Sequence, residues 1–458
     1  MKRWLIAFGV ALFAAIGVLS KHVTDSTLLL DTDTSVLLRT IHAKNAPFSW
    51  FWSDWPLYNH FYRPIPTLLF ELDQRLYGTS AAGYGWTNAL LAFGCTLVLF
   101  WFLRELTDRP IASAAGTCLF AMWQGFGPYT LPEYVTWLVW PVLVIGAIRH
   151  RKNVFAYLPA CFVLLVLAQE MTPVQPLGAK VIGWLPGRTA SCMTLFALAS
   201  MAIYARYERL GPLSSKPKPT ATDVPATRST AVSDGRRNLL WPTASFLLAA
   251  AAFASYEQAV MLPACLLGVA VYFRLTGRRP QWGWQAGFWS LILAYLWVRH
   301  CVIPPGESHY QAQQVRSSIA GTLVALTPLV FLPLQTYSVI PAIVEGGWLV
   351  LFTGQIYGTL LCWISNAVAV FELRRDWALA LTGWILSILA FLPMAFLKMF
   401  EHYYYWPLAI RTVLVVAIGN VACKLVATAL RPPVLQAPPR PSPAPGSLPH
   451  PSNCSPAS

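Results

Sequence analysis

The sequence predicts an all-α fold, a polytopic helical membrane protein with about 12 transmembrane helices and a long first external loop. Of its 458 residues, 56% are hydrophobic and 11% are charged, whereas a soluble chain averages about 25% charged residues. The mean hydropathy of +0.51 agrees with this, and long apolar runs recur along the chain and end in basic residues. This composition excludes a soluble enzyme, a disordered protein and a small disulfide-rich domain.

The first span is predicted from Trp4 to Ser20, after Lys2 and Arg3, with the N-terminus inside. A signal peptide is the alternative, but many further apolar runs follow. Residues 21–80 then form the first external loop. The other predicted spans cover 83–103, 111–126, 134–148, 153–169, 189–205, 240–255, 258–273, 282–298, 347–370, 377–397 and 404–426.

The ends of the chain and its polar segments complete the predicted organisation. Residues 1–430 form the membrane domain, interrupted by a disordered cytoplasmic linker at 210–238 that is rich in Pro, Ser and Thr. Residues 431–458 form a proline-rich, disordered cytoplasmic tail. The apolar stretch 312–342 is broken by prolines and is interpreted as interfacial or re-entrant. Both termini are therefore predicted to be cytoplasmic.

The net charge of +14 is interpreted as a sign of topology. Most Lys and Arg residues fall in the loops assigned to the cytoplasmic side, as the positive-inside rule predicts. No basic-aromatic module is present, so we expect no nucleic-acid partner. The nine cysteines are scattered without metal-ligand spacing and are predicted to be packing residues.

The first external loop opens with two carboxylates, Asp31 and Asp33. At this spacing they could share a metal or a proton, or one could act as a base while the other orients it. The structural alternative is helix capping, because Asp is a favoured N-cap residue and the SVLLRTI that follows looks helical.

An aromatic cluster follows, centred on Trp50, Trp52 and Trp55. It fits an aromatic belt at the lipid headgroups, and it could also stack on sugar rings. Arg63 comes directly after this cluster and before two prolines. Its guanidinium would suit a phosphate bidentately, the alternative being a simple headgroup contact.

At these residues the chain resembles the C-type membrane glycosyltransferases (the GT-C superfamily), of the protein O-mannosyltransferase-like and tetratricopeptide-bearing transmembrane kinds. The resemblance rests on the loop-one Asp residues, on YRPIPTLLFELDQRLYG with GYGWTNALL, on VIGWLPGR, on ASYEQAVMLP and on FEHYYYWPLA. Tyr256 stands where that family usually has Lys, and no tetratricopeptide array follows.

The resemblance implies an active site on the outer face and a polyprenyl-phosphate-linked sugar as donor. It also implies that Asp31 or Asp33 is the catalytic carboxylate. The cofactor is unknown, and a divalent metal is one option.

Further candidates lie at the ends of the spans. Glu257, between two apolar runs, is predicted to be catalytic, the alternative being a turn residue that reaches water. Arg188 and Arg299 are phosphate candidates at outer span ends. Arg411 could bind the donor phosphate from within its span or snorkel outward. Glu401 and His402 are also assigned to substrate binding, His402 as a phosphate ligand or proton relay, with an ordinary interfacial role as the alternative.

The sequence therefore predicts an inverting membrane glycosyltransferase in a bacterial-type inner membrane. Its partners would be a lipid-linked sugar donor and a glycan or protein acceptor. A flippase or transporter of lipid-linked sugars and a non-catalytic assembly partner are the alternatives. Because most acids fall in outer loops or at outer span ends, the enzyme is favoured over a flippase.

Overall fold

The computed structural model describes residues 1–125, 141–149, 154–171, 177–211, 239–306, 308–316, 318–330 and 355–431. Within these ranges the chain is helical, and its only β pairing is an isolated bridge between Val315 and Leu397. Nearly all of the predicted linker and tail, at 212–238 and 432–458, lies outside the described residues.

The described helices are numbered here in chain order. They are α1 (Lys2–Leu19), α2 (Thr27–Leu30), α3 (Thr32–Lys44), α4 (Pro64–Tyr77), α5 (Ala81–Thr107), α6 (Pro110–Trp123), α7 (141–149), α8 (Val154–Met171), α9 (Gly178–Val181), α10 (Arg188–Arg209), α11 (Leu240–Phe253), α12 (Leu262–Leu275), α13 (Gly283–Val302), α14 (His309–Gln314), α15 (Ile319–Val330), α16 (Gln355–Leu373), α17 (Trp377–Ala395) and α18 (Tyr405–Ala429). Short 3₁₀ helices at Pro47–Trp52, Leu185–Gly187, Glu257–Met261 and Glu401–Tyr404 join them.

Six helical segments among the described residues are long and apolar enough to cross a membrane. They are Lys2–Leu19, Ala81–Thr107, Val154–Met171, Glu257–Leu275, Trp377–Ala395 and Glu401–Ala429. The fold is thus a multi-pass helical membrane protein as predicted, but the count of twelve spans is not supported. Several predicted spans are helical yet too short, since α6 and α11 have 14 residues each, and a full crossing takes about 20.

The bundle is built around α18, most of whose residues are buried. Helix α17 runs antiparallel to α18, and Gly383 lets the two backbones approach, because a Cβ there would overlap the backbone nitrogen of Leu414. Helices α5 and α10 run parallel, since Asn88 near the start of α5 bonds Arg188 at the start of α10. Close packing of small residues is the expected way to join helices in lipid.

A buried ion pair ties three helices together inside this bundle. Arg411 of α18 donates from Nε and Nη2 to the carboxylate of Glu170 in α8, at 3.0 and 2.9 Å. Its Nη1 donates to the carbonyl oxygen of Leu329 near the end of α15, at 2.6 Å. Neither charged side chain is exposed. Helix α15 therefore reaches the interior of the bundle. Residues 331–342 of the segment predicted to be interfacial or re-entrant lie outside the described part.

Ion pairs also mark the end of the bundle that the sequence assigns to the cytoplasm. Asp376, between α16 and α17, accepts from Arg109 and Lys424 at 3.1 and 2.8 Å. At the same end of α5 and α10, Glu105 pairs with Arg206 and Arg209. The predicted inner ends of these helices therefore meet at one end of the bundle.

At the opposite end the first loop is a folded unit. Helices α3 and α4 pack around Trp50, Trp55 and Phe70, which are at most 3% exposed. Trp50 donates from its indole to Glu71 at 2.8 Å. Trp52 stays 77% exposed, so the aromatic cluster divides into buried core residues and surface residues suited to a lipid headgroup layer.

Candidate functional site

A cavity of about 760 Å³ opens where loop one, the end of α13, helix α14 and the connection between α17 and α18 meet. Its lining combines aromatic rings, amides and charged groups, and it includes five of the nine predicted site residues: Asp33, Arg63, Glu257, Arg299 and His402. Its size is that of a site for a small molecule or a few sugar rings.

Arg63 and Glu257 meet in this cavity although 194 positions separate them. Arg63 precedes α4 and Glu257 begins a 3₁₀ helix before α12. The guanidinium donates to the carboxylate from Nε at 2.9 Å and from Nη2 at 2.7 Å. It also lies over the rings of Phe61 and Tyr256, 4.2 and 4.6 Å from their centroids. The pair therefore fastens loop one to the helical bundle.

The electrostatics of this pair change what Arg63 can do. Burial alone would lower the pKa of Arg63, but the charge and hydrogen bond of Glu257, together with Tyr256 and Tyr403, raise it on balance. Both side chains are little exposed, at 12% and 18%. Because Glu257 already neutralises Arg63, a phosphate would have to compete with that carboxylate, so geometry favours a positioning role for both residues.

The two loop-one carboxylates occupy different environments. Asp31 is the N-cap of α3, accepting from the backbone N–H of Thr34 at 3.2 Å and from the Trp184 indole at 3.0 Å. Asp33, in the first turn of the same helix, remains exposed and lines the cavity. Partial burial and then the negative charge of Asp31 raise the pKa of Asp33. Capping therefore explains Asp31, and Asp33 is left as the accessible carboxylate.

Arg299 lies at the end of α13 and lines the cavity. Its Nη2 lies 3.4 Å from the carbonyl oxygen of His60, a long contact. Among the described residues it forms no ion pair with a carboxylate. It is thus the cavity cation best placed to receive an anion.

His402 is 8% exposed and lines the cavity. Its imidazole packs in an aromatic setting, with the rings of Tyr403 and Trp184 centred 4.6 and 5.3 Å away. Glu401 precedes it in the chain, is only partly buried and is not part of the cavity lining. The substrate-binding role predicted for these two neighbours is therefore compatible with geometry only for His402.

Two predicted phosphate ligands lie elsewhere. Arg188 is fully buried beneath loop one, where it pairs with Asp73 at 2.6 Å and donates to Asn88 at 2.7 Å. Arg411 is held by Glu170 inside the bundle, as described above. Neither lines the cavity, so the structure gives both a role in packing instead of the snorkelling or phosphate contact considered from sequence.

Sequence reasoning missed one whole side of the cavity, which is contributed by α14. Gln311 and Ser308 bond the loop-one backbone, and Tyr310 packs edge-on against Phe61 with the ring centroids 6.1 Å apart. The segment is short and polar and carries no motif. The one signal in the sequence is that this run of polar residues lies between two apolar runs.

A divalent metal was one option from the sequence. In the part of the chain that the structure describes, no group of three or more His, Cys, Asp or Glu side chains is placed to hold a metal ion. The carboxylates that line the cavity are Asp33 and Glu257, and Glu257 is already bound by Arg63. The described residues therefore do not form a ligand set that fits a metal.

Neither the known protein families, nor the curated proteins, nor the solved structures contain a match to this chain. What the fold and the site define is therefore a class: a multi-pass helical membrane protein with an aromatic, charged cavity at one end of its bundle.

Proposed function

We propose that this protein is a membrane glycosyltransferase that moves a sugar from a polyprenyl-phosphate donor to a hydroxyl of a glycan or protein acceptor, with inversion. The cavity end would face the periplasm, or an equivalent lumen, of a bacterial-type inner membrane. The observation that carries the proposal is that Asp33 and Arg299 line the same cavity. Asp33 is an accessible carboxylate, and Arg299 is a cation that has no acidic partner among the described residues.

In this proposal Asp33 is the general base. A raised pKa makes the Asp33 carboxylate a better proton acceptor. The acceptor O–H gives its proton to Asp33 as its oxygen bonds the anomeric carbon. The bond from that carbon to the phosphate oxygen breaks, and the electron pair leaves with the phosphate. Arg299 would bind the departing dianion.

The surrounding rings support a carbohydrate ligand. Trp55, Trp184 and Tyr403 all contribute to the lining, and aromatic faces pack well on the C–H faces of sugars. The Arg63–Glu257 pair holds loop one, and with it Asp33, in register with the bundle. Catalysis by positioned groups depends on such fixed geometry.

The test compares two nearly isosteric variants of neighbouring residues, with the purified protein in nanodiscs. Asp33→Asn should lower transfer from a polyprenyl-phosphate sugar by roughly 10²–10⁴-fold. Asp31→Asn should keep most of its turnover, because Asn caps a helix about as well as Asp. Equal activity of Asp33→Asn and the parent protein would refute the assignment.

The purified protein reconstituted in sealed vesicles distinguishes the alternatives. A flippase would move a fluorescent lipid-linked sugar between leaflets without producing a glycosylated acceptor. A non-catalytic partner would do neither. Arg299→Gln should weaken binding of the donor, whereas Asp33→Asn should leave it intact, because the base contacts the acceptor.

A further inference from the structure

Helices α1, α5 and α6 meet at the ion-paired end of the bundle. Ala7 and Ala11 of α1 pack in one cluster with Phe100 of α5, and Ala114 of α6 joins the same cluster. The ring of Trp4 lies edge-on to that of Phe100, with the centroids 6.4 Å apart. These contacts bring the beginnings of α1 and α6 beside the last two turns of α5.

Three cations lie at this junction. The guanidinium of Arg104 in α5 is 5.2 Å from the centroid of the Trp4 ring, and Lys2 and Arg3 directly precede Trp4 in the chain. All three basic residues are exposed. Among the described residues, none of the three forms an ion pair with a carboxylate. Their positive charges are therefore available to a ligand.

Several other cations at the same end are already neutralised within the protein. Arg109 and Lys424 both pair with Asp376, and Arg375 pairs with Glu372 at 3.5 Å. Such pairs leave little net charge for a ligand to recognise. The junction at Trp4 differs because it joins three positive charges without a carboxylate partner among the described residues.

Next to the cations the same surface is apolar. Leu5 and Phe8 of α1 are 63% and 46% exposed, and Ile111 in the first turn of α6 is 80% exposed. Helix α1 is long and apolar enough to cross a membrane. Its 18 residues extend about 27 Å, close to the hydrocarbon thickness of about 30 Å. Its exposed face therefore lies against acyl chains, and the cations at its end lie at the level of the headgroups.

We propose that this surface, formed by Lys2, Arg3, Trp4 and Arg104 with the apolar face next to them, binds an anionic phospholipid. The lipid belongs to the leaflet at the ion-paired end of the bundle. Its phosphate pairs with the three cations, the Trp4 indole lies at the boundary between headgroup and acyl chain, and the acyl chains cover the apolar face. This inference does not depend on the chemistry that the cavity performs.

The combination of positive charge and apolar surface favours a lipid over a protein partner. A second copy of the chain, packed on this face about a two-fold axis, would bring the three cations against the same three cations. A soluble acidic protein would reach the cations but not Leu5 and Phe8, which lie against the acyl chains. An anionic phospholipid is complementary to both parts of the surface.

The experiment identifies the phospholipid that contacts this surface. The photoreactive residue p-benzoylphenylalanine replaces Leu5 in the full-length protein, in nanodiscs that contain equal amounts of phosphatidylglycerol and phosphatidylcholine. After illumination, mass spectrometry counts the crosslinked lipid of each kind. Each cation near a membrane surface favours an anionic lipid about fivefold, so we expect phosphatidylglycerol to be captured at least about tenfold more often than phosphatidylcholine. Equal capture of the two lipids would overturn the proposal.

Variants of the cations test the site itself. Arg104→Gln should lower the preference for phosphatidylglycerol about fivefold, whereas Arg104→Lys should keep it, which excludes misfolding as the cause. Arg375→Gln is the matched control, because it removes the same charge at the same end but from an existing ion pair. Equal preferences in Arg104→Gln and Arg375→Gln would overturn the proposal.

A soluble competitor distinguishes a lipid from a free phosphate compound. Glycerol 1-phosphate at millimolar concentration should leave the capture of phosphatidylglycerol unchanged, because it has no acyl chains to cover the apolar face. Loss of capture in its presence would mean that the cations bind a soluble phosphate compound, and that the lipid assignment is wrong.

Discussion

The buried pair between Glu170 and Arg411 allows a direct choice between a structural and a ligand-binding role for Arg411. Glu170→Gln keeps the volume and one acceptor but leaves the guanidinium without its counter-charge. Both side chains are 0% exposed, and stranding a buried charge costs about 3–5 kcal/mol. We expect a loss of about 3 kcal/mol, the low end of that range, because Leu329 still accepts from Nη1 at 2.6 Å.

The assay is reversible unfolding in mixed micelles by titration with dodecyl sulfate. Replacing both partners, as in Glu170→Leu with Arg411→Met, should recover most of the lost stability, since no charge is then left unpaired. Arg75→Gln is the control, because Arg75 is 53% exposed in its pair with Glu71 and such pairs contribute under about 1 kcal/mol.

Two stability results would refute this reasoning. One is a loss below about 1 kcal/mol for Glu170→Gln, the value of an exposed pair. The other is a double variant, Glu170→Leu with Arg411→Met, whose loss of stability equals the sum of the losses of its two single variants. If the double variant is stable but no longer binds farnesyl phosphate, Arg411 is a phosphate ligand after all, as the sequence first suggested.

The remaining predictions concern the cavity and the orientation of the bundle. Glu257→Gln should destabilise the protein by about 2–3 kcal/mol by unpairing Arg63, and adding Arg63→Met should recover part of this in a double-mutant cycle; additive losses would contradict the pairing. Because the pKa of Asp33 is raised, activity should fall as the pH drops through a value above the ordinary pKa of an aspartate. Removing the negative charge of Asp31 in Asp31→Asn should move this fall in activity to lower pH. An unchanged pH profile would contradict the role of Asp31 in raising the pKa of Asp33. A cysteine at Asn45 should react with an impermeant reagent from outside, while one at the ion-paired end should not; the opposite pattern would invert the topology.

Much of the fold follows from local chemistry that the sequence displays. Apolar runs predicted the helices, and the basic residues at their ends predicted which ends meet, as the contacts of Asp376 with Arg109 and Lys424 bear out. The number of crossings could not be obtained this way. Helices such as α6 are apolar but too short, and composition alone does not distinguish a crossing from a buried helix.

The site was predicted only in part, for a different reason. The sequence shows which residues are of a type suited to the site. It does not show which of these charged residues are already neutralised by an ion pair. The partners of Arg188 and Arg411 lie far away in the chain, at Asp73 and Glu170, and the sequence carries no signal of these pairings. The choice between Asp31 and Asp33 likewise required knowing which carboxylate caps α3.

The wide separation of the site's parts along the chain has a consequence for how the protein is made. Loop one is synthesised early, yet Arg63 must wait for a partner 194 residues later, and His60 for one 246 residues later. Until α13 and α14 emerge, loop one lacks the contacts that His60 makes with Arg299, Gly306 and Gln311, although its aromatic core can already form. The bundle helices should therefore insert first, and the cavity should be assembled last. Chains that stop before α13 would be inserted in the membrane but without a site, because contacts this distant in sequence form late.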